Sequence, residues 1–230
     1  MKGPVIICGG FDDIGPRDVR LLESASKLGE VVVYLWSDEM ERERNGRAPK
    51  FPFAERAYFL KAVRYVSRVI RASDFPELTE APPAAAAPPR PARARKKVVV
   101  TGCFDWLHSG HVRFFEEVSA YGDLYVIVGH DANIRLLKGE GHPLQPQEER
   151  RYMAGSIRFV KQALISSGGG WLDADPEIRR IKADIYAVNE DGDRGGKREY
   201  CRELGIEYVI LERIPAPGLP KRTSTELRGF

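Results

Sequence analysis

Slid along itself by 93 positions, this chain superposes its two halves without a gap. Gly9-Gly10-Phe11-Asp12-Asp13-Ile14 falls on Gly102-Cys103-Phe104-Asp105-Trp106-Leu107. Val19-Arg20 falls on Val112-Arg113, Glu23 on Glu116, Ser26 on Ser119 and Gly29 on Gly122. After one residue of slip, Pro49, Pro52, Glu55-Arg56 and Tyr58 fall on Pro143, Pro146, Glu149-Arg150 and Tyr152. A repeat of this length is a half-domain rather than a solenoid unit, so both halves are expected to begin with the same fold.

The first half offers strand signals at 4–8, 31–36 and 66–72, with helical patterns at 16–28 and 53–64. It then stops at a Pro/Ala/Arg run, 82–95, which cannot bury a core and is expected to form an extended tether. The second half continues further. Its strand signals lie at 97–101, 124–129, 159–165, 185–188 and 208–211, and its helical patterns near 112–121, 146–157, 176–182 and 196–204. Alternating strands and helices predict an α/β fold with a Rossmann-like parallel sheet covered on both faces. The expected organisation is a truncated α/β half-domain at 1–75, a linker at 76–95 and a complete domain at 96–230. Ligands of such sheets bind beyond the carboxyl ends of the strands.

Composition narrows the partners. A net charge of +3 over 230 residues is too small to argue for nucleic acid and suits local handling of anions. No stretch has the roughly 18 apolar residues of a membrane span. Met1-Lys2-Gly3-Pro4 runs straight into an apolar strand, so no signal peptide is expected, and the three scattered cysteines suit free thiols in a reducing cytoplasm. No Cys-x-x-Cys pair suggests a zinc site.

The richest run of polar chemistry is Gly102-Cys103-Phe104-Asp105-Trp106-Leu107-His108-Ser109-Gly110-His111. It follows an apolar strand and opens a helix, where backbone N–H groups already point outward to receive an anion. His108 and His111 lie about one helical turn apart, so both are expected to face one phosphate, which protonatable imidazoles attract. In the first half Gly15 and Asp18 take their places, and an aspartate repels phosphate.

This run resembles the His-x-Gly-His signature of the cytidylyltransferase-like nucleotidyltransferases. The resemblance covers Lys97 to about Arg228 in full and Val5 to about Ala72 as a remnant that has lost its histidines. It implies an enzyme that joins a nucleoside triphosphate to a phosphorylated small molecule with release of pyrophosphate. It assigns His108 and His111 to charge stabilisation on the triphosphate, with Lys138 on a donor or acceptor phosphate. Gly102, Cys103, Phe104, Asp105 and Gly110 form the nucleotide turn, with Asp105 between nucleotide and acceptor. Asp105 as a turn or N-cap residue is the alternative. Asp131 and Arg150 are placed near the acceptor, although Glu55-Arg56 recurs in the first half, which leaves a structural role open for the pair. Asn189 and Asp191 face base and ribose, Asn189 standing where family members carry glycine. Arg213, Arg222, Thr223, Ser224 and Thr225 resemble an arginine-then-hydroxyl anion seat, and either arginine can fill the basic role. Mg²⁺ is implied as a companion of the triphosphate, carried by the phosphates rather than by a dedicated protein cage; no protein metal ligand is expected.

The leading reading is CMP transfer from CTP to an amino-alcohol or polyol phosphate. The runner-up is ATP-dependent adenylyl transfer to a sugar phosphate, and a non-catalytic nucleotide-binding protein is the third. Family enzymes are commonly dimers, so the first half is expected to stand in for a partner subunit as an internal pseudo-dimer, with monomer and homodimer both open. The loop Ser166-Ser167-Gly168-Gly169-Gly170-Trp171 is the candidate acceptor loop, with Trp171 as a lid or stacking surface.

Overall fold

A computed structural model of the chain describes residues 3–72, 95–224 and 227. The expected linker therefore lies outside the described residues except for Arg95, and Thr225 lies outside them too. The chain divides into two compact units, Met1–Arg93 and Ala94–Phe230. Among the described residues no helix is long and apolar enough to cross a membrane.

The first unit contains β1 (Val5–Gly9), α1 (Pro16–Ser26), β2 (Val31–Trp36), α2 (Asp38–Asn45), α3 (Phe53–Ala62) and β3 (Arg68–Ala72). Its sheet has the order β1-β2-β3, with both pairings parallel. The second unit contains β4 (Lys97–Gly102), α4 (Ser109–Ser119), β5 (Asp123–Val128), α5 (Asp131–Lys138), α6 (Gln147–Gly155), β6 (Val160–Ile165), α7 (Asp175–Ile181), β7 (Ile185–Asn189), α8 (Lys197–Leu204) and β8 (Glu207–Leu211). Its five strands run in the order β6-β5-β4-β7-β8, again all parallel. The fold is the expected α/β parallel sheet with a smaller parallel sheet before it.

The valine runs explain the central strands. Val31, Val32 and Val33 in β2 and Val98, Val99 and Val100 in β4 are fully buried, the pattern of a strand covered on both faces. Gly29 and Gly122 serve the same purpose in each unit. A Cβ on Gly29 would meet the Gly3 carbonyl oxygen at 2.2 Å, and one on Gly122 would meet that of Lys96 at 2.1 Å. Only glycine lets the chain pass this close to the start of the neighbouring strand.

Two helices escape the sequence reading, α2 and α5, and they occupy equivalent places in the repeat. Asp38-Glu39-Met40-Glu41-Arg42-Glu43-Arg44-Asn45 has no continuous apolar stripe. Its ends hold it instead: Ser37 Oγ accepts the Met40 N–H at 3.2 Å, and Gly46 ends the helix at φ 68°. In α5, His130 Nδ1 accepts the Asn133 N–H at 3.2 Å. Helix α4 also begins earlier than expected, at Ser109, because His108 is its N-cap.

In the second unit the chain builds β4, β5 and β6 outward on one side, then returns to add β7 and β8 on the other side of β4. The strand order switches between β4 and β7, which opens a crevice beyond their carboxyl ends.

Candidate active site

Two adjoining cavities of about 320 and 550 Å³ occupy this crevice. They share a wall made by Thr101, Gly102, Cys103, Lys138, Asp191, Gly192 and Lys197. Beyond the wall, the first lobe is lined by Phe104, Asp105, Gly110, His111, Asn189, Arg213 and Ser224, among others. The second lobe is lined by Asn133, Ile134, Leu137, Trp171, Asp173 and Arg194. Most of the residues expected around a nucleotide line one lobe, although they come from the ends of three strands and the C-terminal segment.

The two imidazoles are stacked at a centroid distance of 4.0 Å and a tilt of 36°. His111 lines the first lobe, while His108, only 2% exposed, is buried beside it and does not line the cavity. The expectation that both face the cleft equally is corrected accordingly. His108 Nδ1 accepts the Gly110 N–H at 3.1 Å, so the ring proton sits on Nε2. Gly110 is needed there, because a Cβ would meet His108 Cε1 at 2.9 Å. His108 Nε2 and His111 Nδ1 are buried and have no hydrogen-bond partner. An unmet buried polar atom is costly unless something else satisfies it. Phe104 packs edge-on to His111 with centroids 5.4 Å apart, from a left-handed backbone at φ 50°. Such strain in a non-glycine residue gathers at functional sites.

Arg150 is 0% exposed, and the protein consumes its guanidinium. It donates to the carbonyls of Gln145 (2.9 Å), Cys103 (2.7 Å) and Gly129 (2.8 Å) and to Asp131 Oδ1 (2.6 Å). Neither Arg150 nor Asp131 lines the cavities. The expectation that they touch the acceptor gives way to a clamp that ties the ends of β4 and β5 to the approach to α6. Asp105 lines the first lobe, yet its two carboxylate oxygens accept the N–H groups of Leu144 (2.9 Å) and Gln145 (2.8 Å). It holds the 144–145 turn in place, the turn-residue role left open above.

A family model described as cytidylyltransferase-like matches residues 99–229, more than half of the chain. The chain belongs to the cytidylyltransferase-like family. It is 39% identical over 119 residues to an FAD synthase of Ferroglobus placidus, covering 50% of this chain and 74% of that protein. It is 34% identical over 125 residues to an FAD synthase of Pyrococcus abyssi, covering 53% and 81%. Against the Bifunctional protein HldE of Aliarcobacter butzleri it is 42% identical over 121 residues, which is 52% of this chain and only 24% of that longer protein. The second unit is therefore a nucleotidyltransferase domain of this family.

In the first unit the turn after β1 has the same local geometry, with Gly15 and Asp18 at the positions that align with His108 and His111. Phe11 has the same φ of 50° as Phe104. Asp12 accepts the N–H groups of Lys50 (2.7 Å) and Phe51 (2.8 Å), as Asp105 does with Leu144 and Gln145. Arg56, 2% exposed, donates to the carbonyls of Phe51, Gly10 and Trp36 and to Asp38. Each partner is the repeat equivalent of an Arg150 partner. The turn itself is anionic. Glu41 is 4% exposed, and a Cβ on Gly10 would meet its Oε2 at 1.7 Å.

The remaining site residues of the family domain fall as follows. Of the two candidate arginines, Arg213 lines the first lobe, pairs with Asp191 at 2.6 Å and donates to the Arg222 carbonyl at 2.8 Å. Arg222 lines only a small neighbouring hollow. Ser224 reaches the first lobe, whereas Thr223 lines neither lobe. Lys138 is on the shared wall. His130 is satisfied locally, with Nε2 2.8 Å from the Gly168 carbonyl. Lys197, Arg194 and Asn133 line the cleft without having been foreseen. The only sequence signal for Lys197 was its place just after Gly195-Gly196, at the start of a helix.

Among the described residues no group of three or more His, Cys, Asp or Glu is placed to hold a metal ion. Asp105 and Asp191 are already committed to N–H groups and to Arg213. The donor set does not build a protein cage for a cation.

Charge state separates structure from expectation at the histidines. Burial first, then Arg213 and Arg222, push His108 down to about 3. Burial, then His108, Arg213 and Lys138, hold His111 well below the ordinary range, opposed by a backbone bond with Trp106. Both rings are thus neutral at pH 7 in the free protein, rather than protonated. An unfolded histidine takes a proton below about pH 6.5, while the folded His108 refuses one until about 3. Stability is therefore full above about pH 6.5 and falls by up to about 1.4 kcal/mol per pH unit for each ring as the pH drops below it. Urea titrations between pH 7 and 5 are expected to show this fall. His108→Gln is expected to flatten it, and an unchanged slope would contradict the assignment.

Proposed function

We propose that residues 96–230 transfer the nucleotidyl group of a nucleoside triphosphate to a small phosphorylated acceptor, releasing pyrophosphate. The observation that carries this reading is the pair of unpartnered imidazole nitrogens at the start of α4, beside a cleft bearing Lys138, Lys197 and Arg213. Fixed cations, together with imidazoles that gain a proton as the triphosphate arrives, stabilise the charge on a triphosphate as it is attacked. An oxygen of the acceptor phosphate bonds to the α-phosphorus, and the bond from that phosphorus to the bridging oxygen of the leaving pyrophosphate breaks. No proton has to move to the protein, so positioning and electrostatics supply the catalysis. A triphosphate beside His108 and His111 favours their protonated forms, so binding is accompanied by proton uptake. A divalent cation such as Mg²⁺, bound to the triphosphate itself, would supply part of the charge neutralisation.

The donor we propose is ATP. Relatives named FAD synthase support it, since FAD contains an adenine nucleotide, and this places ATP ahead of the CTP favoured by motif resemblance alone. The acceptor lies in the second lobe, where Ile134, Leu137 and the 54%-exposed indole of Trp171 suit the flat or apolar body of a phosphomonoester such as a flavin nucleotide. The similarity to HldE supports a sugar phosphate as the second reading. Pyrophosphate release, measured with ATP and with CTP against flavin mononucleotide, sugar phosphates and amino-alcohol phosphates, tests all of these. Release with ATP and one acceptor class is expected. Release with CTP alone would overturn the donor, and no release with any pair would overturn the reading.

We further propose that residues 1–75 are a degenerate copy of the same half-domain, joined through a linker at 76–95 and unable to hold nucleotide. The matched Asp12 and Arg56 contacts support common ancestry. The Glu41 carboxylate against the turn supports loss of phosphate binding.

A further inference from the structure

Seven residues separate the two lobes, and only two of them carry positive charge: Lys138, which the family motif marks, and Lys197, which it does not. The donor triphosphate fills one lobe and the acceptor body the other, so the two reacting phosphates meet at this shared wall. We propose that Lys197 contacts the acceptor phosphate and the α-phosphate of the donor together, and stabilises the charge they share in the transition state. This inference rests on the proposed nucleotidyl transfer and names a residue that performs it.

The local structure places Lys197 for this task. Gly195 and Gly196 take left-handed conformations at φ 70° and 76°, which turn the chain sharply into α8 and set Lys197 as its first residue. Its Nζ donates to the Gly192 carbonyl at 2.9 Å. That bond anchors the stem and leaves two of the three ammonium N–H groups for phosphate oxygens. Trp171 packs over Gly195, where a Cβ would meet Trp171 Cβ at 2.6 Å. The acceptor wall and the lysine therefore belong to one packed unit. Partial burial also pushes the Lys197 ammonium below its ordinary pKa, opposed by Asp173 and Asp193. The cation is poorly solvated while the cleft is empty, and a phosphate would restore the lost interactions. Lys138, by contrast, is exposed, so the two lysines differ in how rigidly they present their charge.

The chemistry distinguishes a junction residue from one that merely holds nucleotide. An interaction made mainly in the transition state lowers kcat when removed, whereas uniform binding raises KM alone. Lys197→Met in the full chain is expected to lower kcat for pyrophosphate release by about 100-fold or more. Its Kd for ATP, measured by equilibrium dialysis without acceptor, is expected to stay within about threefold of the wild type. Lys197→Arg keeps the charge and is expected to recover about a tenth or more of the wild-type rate. Denaturation midpoints of both variants check the fold. A kcat for Lys197→Met within about threefold of the wild type overturns the inference while leaving the nucleotidyl transfer intact. A loss of ATP affinity that matches the loss of rate also overturns it, by making Lys197 a nucleotide-holding residue. Absence of turnover in the wild type with every acceptor overturns the function, and this inference with it.

Discussion

His111→Ala is expected to lower the rate of pyrophosphate release by about 10²- to 10³-fold, the effect of removing one preorganised donor from a developing oxyanion. His111 is the imidazole on the wall of the first lobe, and its Nδ1 is buried without a partner. The edge of Phe104 and the face of His108 fix its ring, so Nδ1 is positioned before any phosphate arrives and donates once the ring is protonated. Little reorganisation is then needed during reaction. Steady-state assays at saturating nucleotide check the rate, and a decrease below about tenfold would remove His111 from the chemistry. Gly15 and Asp18 replace the histidines in the first unit, and Glu41 presses on Gly10. The first unit is therefore expected to add no nucleotide site, and more than one saturable nucleotide per chain, measured by equilibrium dialysis, would show that it still holds one.

Arg150→Ala is expected to destabilise the second unit by about 3–5 kcal/mol, the cost of removing one partner from a buried charged network. The loss would strand the carbonyls of Gln145, Cys103 and Gly129 and leave Asp131 without its ion pair. Asp131 keeps some contact with water, so the carbonyls account for most of the effect. Arg150→Lys retains the charge but not the planar fork, and it is expected to lie between the alanine variant and the wild type. Urea denaturation checks both. A cost below about 1 kcal/mol would mean that the clamp is dispensable.

Much of the fold is legible in the residues. Valine runs mark β2 and β4, and alternating strand and helix signals predict the parallel sheets that both units contain. The helices α2 and α5 were not legible because each is only 8 residues long, too short for an apolar period to stand out. Caps hold them, and caps are weaker sequence signals than periodicity. The recurrence of Glu-Arg in both halves hinted at structure rather than chemistry for Arg150, but only its partners settle the matter, because they lie 5 to 47 residues away along the chain. Lys197 was missed for a similar reason. Nothing in Gly195-Gly196-Lys197 says that the ammonium reaches a wall shared by two cavities.

The amino-acid sequence alone determined the α/β class, the repeat, and the turn from β4 into α4 that carries His108 and His111, since each rests on local pattern and short spacing. Tertiary structure alone decided which polar groups remain available to a ligand. Burial and neighbouring guanidinium groups decide that both imidazoles stay neutral, and long-range hydrogen bonds decide that Arg150 and Asp105 are consumed by the scaffold. Desolvation and hydrogen-bond satisfaction depend on what surrounds a group in space, and that surrounding is assembled from segments far apart in the chain.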